Sequence, residues 1–197
     1  MYLATRRQRA HAQFGLLRFA LLFLIFFVLV AIVWAFFVPC YNFLVVSTAR
    51  IIFSLVESPN VTSIRAQGDS VTIYRNVEGM QATVPFSGFS RYIYFGVVPF
   101  LALFLATPGF GKARKLKLVL IGGILLFLCH VIYLVSSIEL AYVFVGCRKV
   151  GPLLYRILDW TQVLLRVLWE LSPILIWALL THKIWWKPGS ASERNGI

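Results

Sequence analysis

The sequence predicts an all-α polytopic membrane protein, with four transmembrane helices and a small extracytoplasmic antiparallel β-meander between helices 1 and 2. Three observations predict it. The 197 residues are 60% hydrophobic and only 13% charged, which is more apolar than a soluble domain needs. Apolar runs near the length that crosses a bilayer, about 20 residues, recur along the chain. The basic residues gather at the ends of those runs, as topology determinants do.

Residues 1–13 read as a basic tail carrying Arg6, Arg7 and Arg9, and 14–38 as the first span. That apolar stretch exceeds the roughly 7–15-residue core of a cleaved signal peptide. Pro39 is also a poor residue ahead of a processed Cys40, so a retained anchor is expected. Residues 39–90 form the one sizeable extramembrane piece. Its first part, Asn42 to Val56, is apolar apart from Arg50 and several Ser/Thr. It fits an amphipathic helix on the interface or a continuation of the first helix. Beyond Glu57-Ser58-Pro59-Asn60 the period changes. Val61 to Ala66, Ser70 to Tyr74 and Gln81 to Phe86 alternate and are rich in β-branched residues, and Gln67-Gly68-Asp69 and Asn76 to Gly79 are turn signals between them. Three such strands cannot hold a core of their own, so the meander must pack on the helices, the membrane surface or a partner.

The second span is expected at 91–107. It is short, contains Pro99 and is ended by Pro108-Gly109. A basic loop at 108–115 leads to the third span at 116–138. An outer loop at 139–160, broken by Gly146 to Pro152, leads to the fourth span at 161–182, and a tail follows at 183–197. Trp160 and Trp185-Trp186 suit the two interfaces of the last helix. Of the 19 basic residues, 11 fall on the side of the termini and of the loop at 108–115, with one acid; the other side holds eight with six acids. The positive-inside rule therefore places both termini in the cytoplasm. The net charge of +12 does not point to nucleic acid, because the basic residues form no single patch and no recognition motif accompanies them.

The chemistry-bearing residues within the apolar runs are His130, Arg166 and Glu170. Glu170 stands mid-span, where a carboxylate costs roughly 2.5–3.5 kcal/mol to insert. Arg166 precedes it at i, i+4 spacing on the same face. His130 lies at a similar depth in the third span. The three are candidates for one polar intramembrane cluster, either a proton relay or substrate site or an ion pair that fixes helix packing. Pro173, one turn on, is placed to open the backbone beside Glu170. Cys40 and Cys147 both fall outside and are a candidate disulfide pair. Cys129 and His130, adjacent on a helix, point about 100° apart and make no nucleophile–base pair. Three Cys and three His show no metal-ligand spacing, and no Gly-rich phosphate loop occurs. No metal, cofactor or catalytic residue is expected. Gly122-Gly123 reads as a close helix-packing point.

Three local features carry a family resemblance. One is the anchor from Arg18 that ends in Phe36-Phe37-Val38-Pro39-Cys40-Tyr41-Asn42. Another is the β-rich Ser70-Val71-Thr72-Ile73-Tyr74. The third is the run from Val98-Pro99-Phe100 to Ala106-Thr107-Pro108, followed by the basic loop and the span with His130. Over residues 14–140 this layout resembles small membrane proteins encoded with exosortases, the exosortase H-associated type. The resemblance implies a non-catalytic accessory protein of the bacterial inner membrane, beside a sorting transpeptidase or export component. It brings no catalytic motif. The chain does not resemble an exosortase itself: those enzymes have more spans, and Cys40 lacks the Ser/Thr-Gly context of their cysteine. Besides membrane lipid, a membrane-protein partner is expected. Two other readings stay open on the residues alone. One is a membrane enzyme or proton-coupled carrier built on His130, Arg166 and Glu170. The other is a structural subunit of a respiratory or transport complex.

Overall fold

The computed structural model describes residues 2–56, 62–68, 70–77, 80–86, 93–146 and 150–185. It is mostly helical, with one small antiparallel sheet and three long apolar helices. The elements run α1 (Tyr2–Val56), β1 (Thr62–Gln67), β2 (Ser70–Val77), β3 (Met80–Phe86), a 3-10 turn (Tyr94–Gly96) entering α2 (Val97–Ala106), then α3 (Lys112–Phe144) and α4 (Pro152–Trp185).

The helices overrun the boundaries that hydropathy suggests. The 14–38 span and the 39–56 stretch form one helix that runs through Pro39, the continuation being one of the two readings the sequence leaves open. Proline removes a single backbone donor, and an apolar helix packed on neighbours absorbs that loss. The expected 139–160 loop is largely helix, because α3 continues to Phe144 and α4 begins at Pro152. Proline is well suited to that first-turn position, where its missing N–H costs nothing. The apolar part of α1, Leu16–Val56, has 41 residues. That is about 62 Å of helix, twice a hydrocarbon core of about 30 Å. Its far end carries the sheet.

The sheet is a meander in the order β1-β2-β3, with Ile64 opposite Ile73 and Tyr74 opposite Thr83. Alternation sorts its faces. Ile64, Val71 and Ile73 turn inward onto Val45, Val46, Ala49 and Phe53 of α1 and onto Ile138 and Tyr142 of α3. Arg65, Tyr74 and Thr83 turn outward. Arg75 also points inward, its guanidinium 3.9 Å from the centre of the Tyr142 ring. Two side chains of α1 clamp the sheet. Asn42 Nδ2 donates to the carbonyls of Gly68 (2.9 Å) and Ser70 (3.3 Å). Arg50 donates through Nε and Nη2 to the Ile64 carbonyl, at 3.2 and 2.6 Å. Gly68 sits at φ +61° in the β1–β2 turn, a conformation that suits glycine.

The contacts also fix the direction of each leg. The C-terminal halves of α1 and α3 both reach the sheet, the latter through the Tyr142–Thr62 hydrogen bond. Both helices therefore run from the basic end of the molecule to the sheet end. Between them α2 runs back, from Tyr94 beside His130 to Thr107, whose hydroxyl accepts a hydrogen bond from Trp177. α4 also runs back, from Tyr155 against Phe144 to Trp177 near Phe19. A second core at the basic end joins Phe100, Phe104, Leu126 and Ile176. There Gly122 earns its place: a Cβ on it would stand 2.5 Å from Phe100 Cζ, whereas one on Gly123 would meet nothing within 4 Å.

Candidate membrane-embedded polar sites

The three residues singled out from sequence divide between two separate polar features of the apolar helices. The first is centred on His130, which is 0% exposed. The Tyr41 hydroxyl and His130 Nδ1 share a 2.8 Å hydrogen bond. The rings of Tyr41, Tyr94 and Trp169 stand 5.7, 5.2 and 6.2 Å from the imidazole, centre to centre. Tyr94 Oη donates onward to Asn42 Oδ1 at 3.3 Å. Asn42 thus ties this buried cluster to the sheet, since its amide nitrogen holds Gly68 and Ser70. Among the described residues, His130 Nε2 finds no hydrogen-bond partner, and neither do Trp34 Nε1 and Trp169 Nε1, all buried. Gly96 lies close to both the unpaired His130 nitrogen and Pro173: a Cβ on it would stand 3.9 Å from His130 Nε2 and 3.1 Å from Pro173 Cγ, a tight fit.

Pro173 lies inside α4 without ending it. Its ring denies the Trp169 carbonyl its usual i+4 donor, and Ser172 Oγ donates to that carbonyl instead, at 2.8 Å. The break expected beside Glu170 is thus repaired locally.

The second feature is the Arg166–Glu170 ion pair, Nε to Oε1 3.3 Å, with side chains 71% and 55% exposed. It lies on the outer face of α4. The heights of His130 and Glu170 do match, because Trp169 touches the imidazole. The side differs: Trp169 takes the inward position and Glu170, the next residue, turns away. With Nδ1 on Tyr41 and Nε2 unpartnered, His130 bonds neither Arg166 nor Glu170. The relay geometry that one cluster would need is therefore not assembled within a single chain.

Glu170 lies about 27 Å from the Pro152 end of α4 and about 22 Å from its Trp185 end at helical rise. It stands among exposed Val163, Val167, Leu168 and Leu171. Two rows at alternating spacings of three and four run down this face. Arg156, Asp159, Val163, Arg166 and Glu170 make one, and Ile157, Trp160, Leu164, Val167, Leu171 and Ile174 the other, all of them exposed. The opposite face buries Ser172 and Ile176. Cys40 is exposed and Cys129 half-buried; Cys147, and with it the candidate disulfide, lies outside the described residues. Among the described residues no group of three His, Cys, Asp or Glu could hold a metal ion.

No family model, no curated protein and no solved structure matches this chain. Function is therefore argued from the geometry. Sequence reasoning passed over Tyr41, Asn42, Tyr94 and Trp169. The signal for two of them was present, since Tyr41-Asn42 is a polar step inside an apolar helix.

Proposed function

We propose that the chain is an accessory, non-catalytic protein of a bacterial inner-membrane protein-sorting or envelope-export system of the exosortase type. In this reading it crosses the membrane four times. The legs α1 and α3 run outward, the leg containing α2 and the leg α4 run back, and both termini lie in the cytoplasm. The alternating leg directions and the basic residues at one end support that arrangement.

The observation that carries the reading is the outward face of the sheet. Arg65 lies over the Tyr74 ring, 5.5 Å from its centre, and Thr83 is cross-strand to Tyr74. The platform beneath is held by Asn42 and Arg50 on a helix that leaves the bilayer. Tyrosine and arginine are the residue types that dominate binding energy at protein interfaces, and a clamped sheet presents them without loss of loop entropy. A sorting transpeptidase or export component is the partner this surface would meet.

The test is a mild-detergent pull-down of the tagged protein from its native host, with mass spectrometry of what accompanies it. Stoichiometric recovery of such a component, lost with Tyr74→Ala and Arg65→Ala while the variants still reach the membrane, is expected. Recovery of the protein alone, or catalytic activity of the purified protein, would overturn the reading.

A further inference from the structure

We infer that the outer edge of β3 is a docking edge for the extended segment that flanks a membrane anchor in another protein of the same membrane, given the reading that the chain crosses that membrane with its sheet outside. Which system the partner serves does not enter.

The ladder shows which backbone groups are open. Two residues separate the facing pair Val77 and Met80 at the β2–β3 turn. A two-residue hairpin closes on a pair that exchanges both hydrogen bonds, and such pairs alternate with unbonded ones along the strands. Met80, Ala82, Val84 and Phe86 therefore bond to β2, while Gln81, Thr83 and Pro85 turn their backbone groups the other way. Pro85 fits this phase, because prolines in sheets stand where the missing N–H would face outward. The same count on β1 turns the Ile64 carbonyl outward, and Arg50 is found on that carbonyl. The two edges thus differ. Arg50 of α1 covers the edge of β1. Among the described residues β3 pairs with β2 alone. Its outer edge offers the N–H and C=O groups of Gln81 and Thr83 and the carbonyl of Pro85.

Only extended backbone complements such a row, so the occupant is a strand. Its course follows from α1, where Asn42 holds the carbonyls of Gly68 and Ser70 and Arg50 holds that of Ile64. Asn42 and Arg50 are about 12 Å apart along the helix, and Ile64 and Gly68 about 13 Å apart along the strand. The strands therefore run alongside α1, along the membrane normal. A segment paired with β3 runs along the normal too, which is the course of a chain entering or leaving an anchor. A second copy does not fit. Antiparallel pairing of this edge with the same edge of a copy needs a two-fold normal to the sheet. With the sheet standing along α1, that axis lies in the membrane plane and inverts one copy. Parallel pairing of the same edge needs an offset of one residue, about 3.3 Å, between copies that the membrane holds at one depth.

The experiment uses the full chain in native membranes. Labelling of Thr83→Cys from outside by a membrane-impermeant maleimide, with Cys40, Cys129 and Cys147 replaced by serine, comes first. Failure to label removes the membrane reading, and the inference with it, before any partner is scored. p-Benzoylphenylalanine is then placed at Gln81, and its ultraviolet adducts are sequenced. The expected adduct joins another protein within about ten residues of its membrane span at strand rise. Thr83→Pro removes an outward N–H and no ladder bond, and is expected to lower the adduct yield at least about fivefold, whereas Thr83→Ala keeps the N–H and the yield. Gln81→Pro, with the photoprobe moved to Thr83, is the second variant. Amide exchange in β1 and β2 of both purified proline variants should match the native chain.

An adduct that survives both prolines, an adduct to a second copy, one far from any span, or no adduct at either position would each overturn the inference. Loss of β2 protection in both proline variants would do the same, because it would show that those N–H groups face β2. A complex lost with Tyr74→Ala but kept with Thr83→Pro would leave the outward face as the contact and remove the edge.

Discussion

Tyr41 on α1 and His130 on α3 are joined 89 residues apart in sequence by a 2.8 Å hydrogen bond in the molecule's interior. It is a directed contact between two long apolar helices that also meet through the edge-on ring pairs Tyr41–Phe127 and Phe53–Tyr142. Tyr41→Phe leaves the imidazole with neither nitrogen partnered. A buried polar group stripped of its partner costs about 1–3 kcal/mol, so the variant should unfold at lower temperature in detergent. The double variant Tyr41→Phe/His130→Leu, which removes both polar ends, should cost less than the sum of the two single changes. Strict additivity would mean that the pair contributes nothing as a pair.

Asn42 should control attachment of the sheet. Its amide nitrogen bridges the carbonyls on either side of the β1–β2 turn, and its oxygen accepts from Tyr94. Asn42→Asp keeps the acceptor but deletes the donor, and sets a carboxylate against two carbonyl oxygens. Amide hydrogen exchange in β1 and β2 should rise at least about tenfold, corresponding to about 1.4 kcal/mol of local stability, with α2 protection unchanged at the basic end. Uniform acceleration across all helices would show that Asn42 supports the whole fold and not the sheet in particular.

The repaired break in α4 gives a third expectation. Ser172 supplies the donor that Pro173 withholds from the Trp169 carbonyl. Ser172→Ala should therefore destabilise the helix by about 0.5–1.5 kcal/mol, the net value of such a bond, whereas Pro173→Ala, which returns the backbone donor, should make Ser172→Ala nearly silent. The melting temperatures of the two single variants and the double variant decide it.

Relative heights along the helices were legible in the sequence, while directions around each helix axis were not. Counting residues put His130 and Glu170 at one level, and Trp169 touching His130 agrees with that level. Whether Glu170 or Trp169 faced inward was a difference of one residue, about 100°. It was settled by packing against Tyr133 and His130, which no single-helix pattern encodes. Helix ends were hidden for a related reason. Residues 42–56 are apolar enough to lie on an interface or to extend the first helix. Only the sheet resting on Val45, Val46 and Ala49 selects the second, and that contact spans too many residues to be read locally. The strands were easier to place, because alternation and turn residues are local signals.

The Gly122-Gly123 pair shows how a motif visible in sequence becomes unequal in the fold. Both residues lie in α3, yet Gly122 is pressed against α2 and α4 while Gly123 meets open space. A methyl at 122 would fall 2.5 and 2.7 Å from Phe100 ring carbons and 3.1 Å from Leu180 Cδ1. Phe100 is itself buried within the second core and cannot swing clear. Gly122→Ala should thus cost about 1–3 kcal/mol through overpacking, visible as a lower melting temperature. Phe100→Leu, by removing the ring, should relieve most of that cost in the double variant. Gly123→Ala meets no atom and gains helix propensity worth up to about 1 kcal/mol over glycine, so it should leave the melting temperature unchanged or raise it. Equal losses at the two positions would contradict the close approach of Phe100 to Gly122 and the packing of α2 against α3 that depends on it.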